Sequence, residues 1–496
     1  MKHNFLIINA LVAITLLPLL TSCSAEKPHA VRMGLASMPL NLDPRFSTDA
    51  ASSRIGRLIY QKLVDFNDAK MPIPAIADWN QISPFHYRFI LNDKRNKFHN
   101  GDQLTSKDVK ATYDFILNKD NASPHRTSLA MIKKIETPDG QTVDFFLTRD
   151  DPLFPGYLVI GIVPHKLIEQ EHKFNKQPIG SGSFQFMTQT DEGKLQIKRI
   201  TDNLVVEFLH VPNPTVRVLK LQRGEIDIVQ NDLPPELVTY LAELETVDLK
   251  RVEGSKFQYI GFNMEDPVLK QIEIRHAIAY AINRDEIIDY IFGHSAREAQ
   301  ALFPPDHWAS NSSLKGYEYN PEKAKTLLSQ LGYSLEKPLN LTYKTSNKPF
   351  RIRLATIYQH QLKNVGINLD IRSYDWGTFY GDIKSGQFQL YSLAWVGIKM
   401  PDIFRYTLHS EGIPPNGANR GRYVNSEVDK MITEAESYKD LTKQAEVYRK
   451  LQDYLLKDLP YIPLWFEDNV VITRKHIQNY SINSEGNYDG LKTVTL

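Results

Sequence analysis

Apolar and polar positions along the 496 residues change period many times, and each change marks an element. Val31 to Ser37 reads as a short strand that ends at Pro39. Ile55, Leu58, Ile59 and Leu63 fall at helical spacing within Ser52 to Phe66. Tyr87 to Leu91 is strand-like. Phe98-His99-Asn100-Gly101-Asp102 is a polar turn, and Thr105-Ser106-Lys107-Asp108 forms a capping box that opens a helix through Val109, Tyr113 and Ile116. Asn320-Pro321 starts a helix with Ala324, Leu327, Leu328 and Leu331 on one face and Gly332 beyond its end. Leu339 to Tyr343 is a strand. Leu354, Tyr358, Leu362 and Val365 mark a helix closed by Gly366. Ile367 to Ile371 and Phe388 to Trp395 are further strands, the second so apolar that burial on both faces is expected. Ser426 to Ala435 and Leu441 to Leu459 are amphipathic helices. The alternation predicts an α/β core with parallel pairing, and the richer strand content before residue 265 makes the whole mixed α/β.

The first residues carry a different pattern. Met1 to Asn4 is mildly basic, Phe5 to Leu20 is an apolar run broken by Asn9, Thr15 and Pro18, and Leu20-Thr21-Ser22-Cys23 follows. Basic start, apolar core and small residues make an export signal. A membrane span wants about 20 apolar residues, more than this run offers. Cys23 is the only cysteine, so an intramolecular disulfide is excluded, and stability rests on core burial. Removing residues 1–22 takes away one base, Lys2, and no acid, so 59 bases against 58 acids becomes 58 against 58. With no basic surplus, nucleic-acid binding is disfavoured. No cofactor or metal site is expected. His165, Glu169 and His172 would share one face of a continuous helix, but such a stripe also suits a solvated face. His-Glu-x-x-His, Gly-x-Ser-x-Gly and P-loop lysine motifs do not occur, so nothing recommends an enzyme. Gly180-Ser181-Gly182 lacks the lysine and spacing of a nucleotide loop and reads as a turn.

Several segments, in order, resemble the family 5 bacterial extracellular solute-binding proteins. Leu42-Asp43-Pro44 follows the first strand, and Ala75-Ile76-Ala77-Asp78-Trp79 precedes the Tyr87–Leu91 strand. Phe98-His99-Asn100-Gly101 with Thr105 to Val109 is similar to the family's "FHDG…T..DV". Gly180-Ser181-Gly182-Ser183-Phe184 stands for its "GTGPY", and Gly224-Glu225-Ile226-Asp227 for "GEID". Phe262-Asn263 with Ile274 to Arg284 resembles "fN…vRqAi.yAiDr". The cysteine box resembles that of bacterial lipoproteins, which implies cleavage before Cys23 and diacylation of its thiol; two acyl chains suffice for stable anchoring. Ser24 after that cysteine leans to the outer membrane, whereas an importer receptor is expected at the inner one.

The resemblance implies a monomeric, two-lobed periplasmic-binding-protein fold (type II, cluster C) with an extra subdomain. After a signal peptide (1–22) and a tether (23–30), residues 31–48, 171–262 and 467–496 would form one lobe. Residues 49–170 would form the extra subdomain, and 263–466 the second lobe. Two connecting strands would make a hinge, and lobe closure around a ligand would present it to the permease subunits of an ATP-driven importer. Ser37, Met38, Tyr374, Trp376, Trp395, Val396 and Gly397 match cleft positions; the two tryptophans also read as core residues. Peptide-binding relatives often place an aspartate just after the position of Gly397, where it pairs with the peptide ammonium. Here that residue is Ile398. A desolvated ammonium needs an ionic partner, so either another acid serves or the ligand lacks a free amine there. Asp402 could serve; it also reads as the N-cap of a helix from Ile403 to Leu408. The expected function is capture of a small solute, with an oligopeptide as the first candidate. Ile398 motivates a non-peptide alternative: a metal–chelator complex, haem, an opine or a sugar derivative. A surface lipoprotein with an adhesin or sensor role stands as the contrasting class.

Overall fold

A computed structural model describes residues 30–92 and 96–496. The signal segment and Cys23 lie outside the described residues.

The longest strands in the chain, Val247–Phe262 and Tyr461–Arg474, pair antiparallel from Val247 opposite Arg474 to Gly261 opposite Tyr461. They form the spine of an eleven-stranded sheet. On one side of them follow Leu390–Trp395, Leu339–Ser346 and Ile367–Tyr374, the last three mutually parallel. On the other side lie Ile228–Gln230, Ala30–Leu35 parallel to it, and the meander Val205–His210, Lys194–Arg199 and Phe184–Gln189. Ala296–Glu298 pairs with Tyr461–Arg474 off this path. A separate antiparallel sheet holds Ala77–Ser83, His86–Leu91, Thr142–Leu147 and Ile132–Glu136. The expected mixed α/β class is therefore observed.

Burial follows the same partition. Ile278, Leu341, Tyr358, Ile367 and Trp465 belong to one apolar cluster, under helices Ile272–Ala281 and Pro349–Lys363. Val31, Ile55, Phe184, Val206 and Tyr480 belong to another. Phe89, Tyr113, Phe145 and Phe154 fill a third, beneath the four-stranded sheet, with Phe89 and Phe145 edge to face at 5.4 Å. Each such aromatic pair adds about 0.5–1.5 kcal/mol beyond its burial.

The spine is irregular at two places, between Val252 and Lys256 and between Gln258 and Tyr259, and the first is the larger. There the shift of register leaves Glu253, Gly254 and Ser255 as extra chain. Such bulges bend a strand and raise its twist. Gly254 is required there, because a Cβ would stand 2.1 Å from the Glu467 carbonyl oxygen.

Local signals map closely onto elements. Thr105 and Asp108 close the capping box of helix Ser106–Leu117. Asn320 caps Pro321–Gln330 through the Lys323 amide, and Gly332 takes φ +83°. Four expectations change. The helix expected over Ser52–Phe66 spans Ala50–Ile59, and Val64–Phe66 is a strand, because Tyr60 turns extended and Leu63 joins a different core. Leu390–Trp395 is buried only at Leu390 and Tyr391, and half-open from Ser392 onward. Gly180 and Gly182 serve close packing: a Cβ would lie 2.1 Å from the Ile59 oxygen or 2.4 Å from the Leu58 oxygen, against the end of Ala50–Ile59. Helix His165–Glu169 stops before His172, so the histidine stripe does not share one helical face. His165 Nδ1 instead bonds Asp108 at 2.7 Å, and His172 the Gln177 carbonyl at 2.8 Å. No described helix is long and apolar enough to cross a membrane.

Candidate functional site

The half-open end of Leu390–Trp395 is where the sequence candidates gather. The sheet register sets Phe257 opposite Trp395, Tyr259 opposite Leu393 and Gly261 opposite Tyr391. Gly261 leaves room for the Tyr391 ring, which a Cβ would meet at 2.4 Å. Beside this strand the segment 418–423 is pinned by Asn419. Its amide donates to the carbonyls of His409 (3.1 Å) and Tyr423 (2.7 Å), and its oxygen accepts from the Tyr423 amide at 3.0 Å.

That pinned segment delivers Arg420. Its guanidinium stands 4.6 Å from the Trp395 ring centroid and 5.4 Å from that of Tyr380. It donates to the hydroxyls of Tyr380 at 3.1 Å and Tyr259 at 3.4 Å. Tyr259 and Tyr391 hydroxyls are 3.5 Å apart. Burial holds the Tyr391 phenol well above its ordinary range, so it stays protonated and neutral. Arg420 is 9 % exposed. A cavity of about 30 Å³ opens beside it, between Phe257, Tyr259, Tyr391, Trp395 and Tyr461.

Above Arg420 the surface is aromatic and open. Helix Trp376–Ser385 is capped by Asp375, which accepts from the Thr378 amide. Trp376 at its first position is 53 % exposed and stacks on Tyr380, with centroids 5.4 Å apart and planes 10° from parallel. Val396 and Tyr406 are also exposed, the latter edge-on to Trp395 at 6.3 Å. Gly397 has φ +72°, with open space where a Cβ would stand.

Ile398 packs into the apolar cluster around Phe404 and Tyr448. Next to it, the Lys399 ammonium lies 4.9 Å from the Phe66 ring centroid. Burial lowers its pKa, partly offset by Glu485 and Asp65. Burial also pulls His307 down to about 4; its Nε2 therefore donates as a neutral ring to the Lys399 carbonyl at 3.0 Å.

The remaining candidates stand differently. Tyr374 is half-buried at the end of its strand, 5.4 Å below the Lys344 ammonium. Ser37 is exposed, and Met38 packs against the cluster around Val31. Asp402 does not serve as the N-cap. It is the first residue inside helix Asp402–Leu408, and Pro401 holds the cap position. Its carboxyl faces Asp151 and Glu436, and burial together with these two acids raises it to about 7. Arg420 itself carried no local signal in the sequence, since its partners come from residues 259, 380 and 395.

The model of the bacterial extracellular solute-binding proteins, family 5 (middle), matches residues 72–413. The dipeptide-binding protein of Escherichia coli is 25% identical over 474 residues, covering 87% of this chain and 88% of that protein. Heme-binding protein A of Haemophilus influenzae is 26% identical, covering 93% and 91%. Among solved structures, the periplasmic binding protein DppA of Helicobacter pylori with the peptide STSA superposes with a TM-score of 0.82 at 25% identity, covering 94% of this chain and 98% of that one. NikZ of Campylobacter jejuni with Ni(L-His) gives 0.83 at 22% identity, covering 94% and 99%.

Proposed function

This chain belongs to the bacterial extracellular solute-binding proteins of family 5, and on that footing we propose that it captures an oligopeptide or similarly sized solute and hands it to the permease of an ABC importer. The observation that carries this reading is the open aromatic face of Trp376, Trp395 and Tyr406 beside the long strand pair. Large rings offer contact area with few rotamers to freeze, and ligand sites favour such junctions between packed bodies. Ser37, Met38, Tyr374, Trp376, Trp395, Val396 and Gly397 are assigned to the cleft. Residues 31–48, 171–262 and 467–496 are assigned to one lobe, 263–466 to the other and 49–170 to the extra subdomain. The bulge at Glu253–Ser255 is assigned to the hinge.

Relatives named for dipeptide and peptide binding support the peptide as first candidate. Ile398, at the position where the family resemblance implies an aspartate in peptide binders, favours the second reading of a non-peptide solute. Heating the purified protein and identifying the released solute by mass spectrometry tests both. A retained peptide, with thermal stabilisation by a peptide pool, supports the first. A retained non-peptide supports the second, and neither retained solute nor stabilisation by any pool overturns the receptor role.

Anchoring is part of the proposal: Cys23 is diacylated after cleavage of residues 1–22. Labelled palmitate should enter the wild-type protein and not Cys23→Ser; equal labelling of the two would refute it.

A further inference from the structure

Six arginines are buried among the described residues, and five of them donate to acids or carbonyls. Arg45 is forked onto Asp43. Arg199 holds Asp202 and the carbonyls of Leu491 and Val494. Arg217, Arg275 and Arg284 each donate to three or more backbone carbonyls. Among the described residues Arg420 has neither a carboxylate within 4.0 Å nor a hydrogen-bonded carbonyl, only two phenol oxygens and the faces of two rings. A guanidinium carries five N–H donors in a planar fork, so most of its capacity is unspent. Removing a cation from water without an anion is costly, and a bidentate carboxylate is the partner that fits a fork best.

We propose that Arg420 anchors a carboxylate of the transported solute, and that the site selects anionic solutes whose flat or apolar body lies over Trp376 and Tyr380. This rests on the receptor reading above and narrows its ligand. The second observation is the charge around Ile398. Arg57 and Lys62 share Asp65, Arg57 also holds Asp489, and Lys70 holds Glu485. These acids are already paired, which leaves the Lys399 ammonium with no hydrogen-bonded acid among the described residues. The position at which a solute ammonium would need an anion thus offers an apolar side chain and a cation. Arg420 repels an ammonium and attracts a carboxylate, and Ile398 offers an ammonium no anion.

The test uses the full-length protein freed of retained solute, with two matched probes: a pool of N-acetylated tripeptides with free C-terminal carboxylates, and the same pool as C-terminal amides. Calorimetry should show the carboxylate pool binding at least tenfold more tightly than the amide pool. R420Q should erase that ratio, and R420K should restore part of it, while circular dichroism checks that both fold. Equal binding of the two pools by wild type, or an unchanged ratio in R420Q, overturns the assignment while leaving the receptor role standing. If neither pool binds, the solute released from heat-denatured protein decides. An anionic solute held by wild type and lost from R420Q supports the assignment, whereas a cationic or neutral one overturns it. If no solute is retained either, the receptor role fails and this inference with it.

Discussion

Arg275 and Arg420 are both buried arginines in the second half of the chain, and they end in opposite surroundings. Arg275 sits on helix Ile272–Ala281 and gathers the carbonyls of Leu459 (3.1 Å), Leu269 (2.9 Å), Lys270 (2.9 Å) and Asp458 (2.7 Å). These are the loose ends of neighbouring elements, and the guanidinium ties them together. Arg420 meets rings and hydroxyls, which would tolerate its absence. One arginine completes the scaffold, and the other is completed by something the scaffold does not contain. Burial alone therefore does not separate architecture from recognition; what the buried N–H groups touch does.

The sharpest way to break this contrast is to remove both cations. Arg275→Met should destabilise the protein by about 3–5 kcal/mol, because four carbonyls, two of them buried, lose their donor. Urea unfolding followed by circular dichroism measures it, and a loss below about 1 kcal/mol would erase the distinction. An acid with no cationic partner among the described residues supplies the mirror case. Asp402, raised to about 7 by burial and by Asp151 and Glu436, binds its proton more tightly folded than unfolded. Its contribution is fully present below pH 4 and is lost as pH rises through 7. Asp402→Asn should therefore raise stability at pH 8 by roughly 1 kcal/mol, and flatten the decline in melting temperature between pH 4 and 7. A parallel pH profile in the variant would show that the carboxyl is solvated.

The other half of the contrast predicts small numbers. Arg420→Met should leave unliganded stability within about 1 kcal/mol of wild type, or raise it, since apolar replacement of a poorly paired buried charge is often neutral. Trp376→Ala, at a residue 53 % exposed, should change unfolding free energy by no more than about 0.5 kcal/mol, yet weaken solute binding at least tenfold by calorimetry. A large stability loss with binding intact would place Trp376 in the core instead.

What was legible in the sequence divides along the same line. Thr105 with Asp108, and Asn320 with Pro321, could be read because capping chemistry is complete within four residues. The order of family segments was legible because each is short and local. Leu63 misled because its spacing continued a helix whose last residue, Ile59, packs in a different core. Gly180 and Gly182 looked like turn residues, since the carbonyls they must clear belong to Leu58 and Ile59. Phe388–Trp395 looked buried on both faces, because nothing in an apolar run marks the end that opens toward a site. Trp376, Trp395, Val396 and Gly397 emerged together through resemblance. Arg420 did not: Tyr259, Tyr380 and Trp395 come from three separate elements, and the absence of a carboxylate beside it is a property of space rather than of spacing.

The distribution of the five tryptophans has an optical consequence. Trp376 stands largely in water against Tyr380, and Trp395 shares its ring face with a cation. Trp465 is sealed in the core at 0 % exposure. A solute that settles on the first two would change their emission in colour and intensity, while the third supplies a steady blue background. The protein thus contains both a reporter dye and its internal standard, so occupancy can be followed in real time with no label attached.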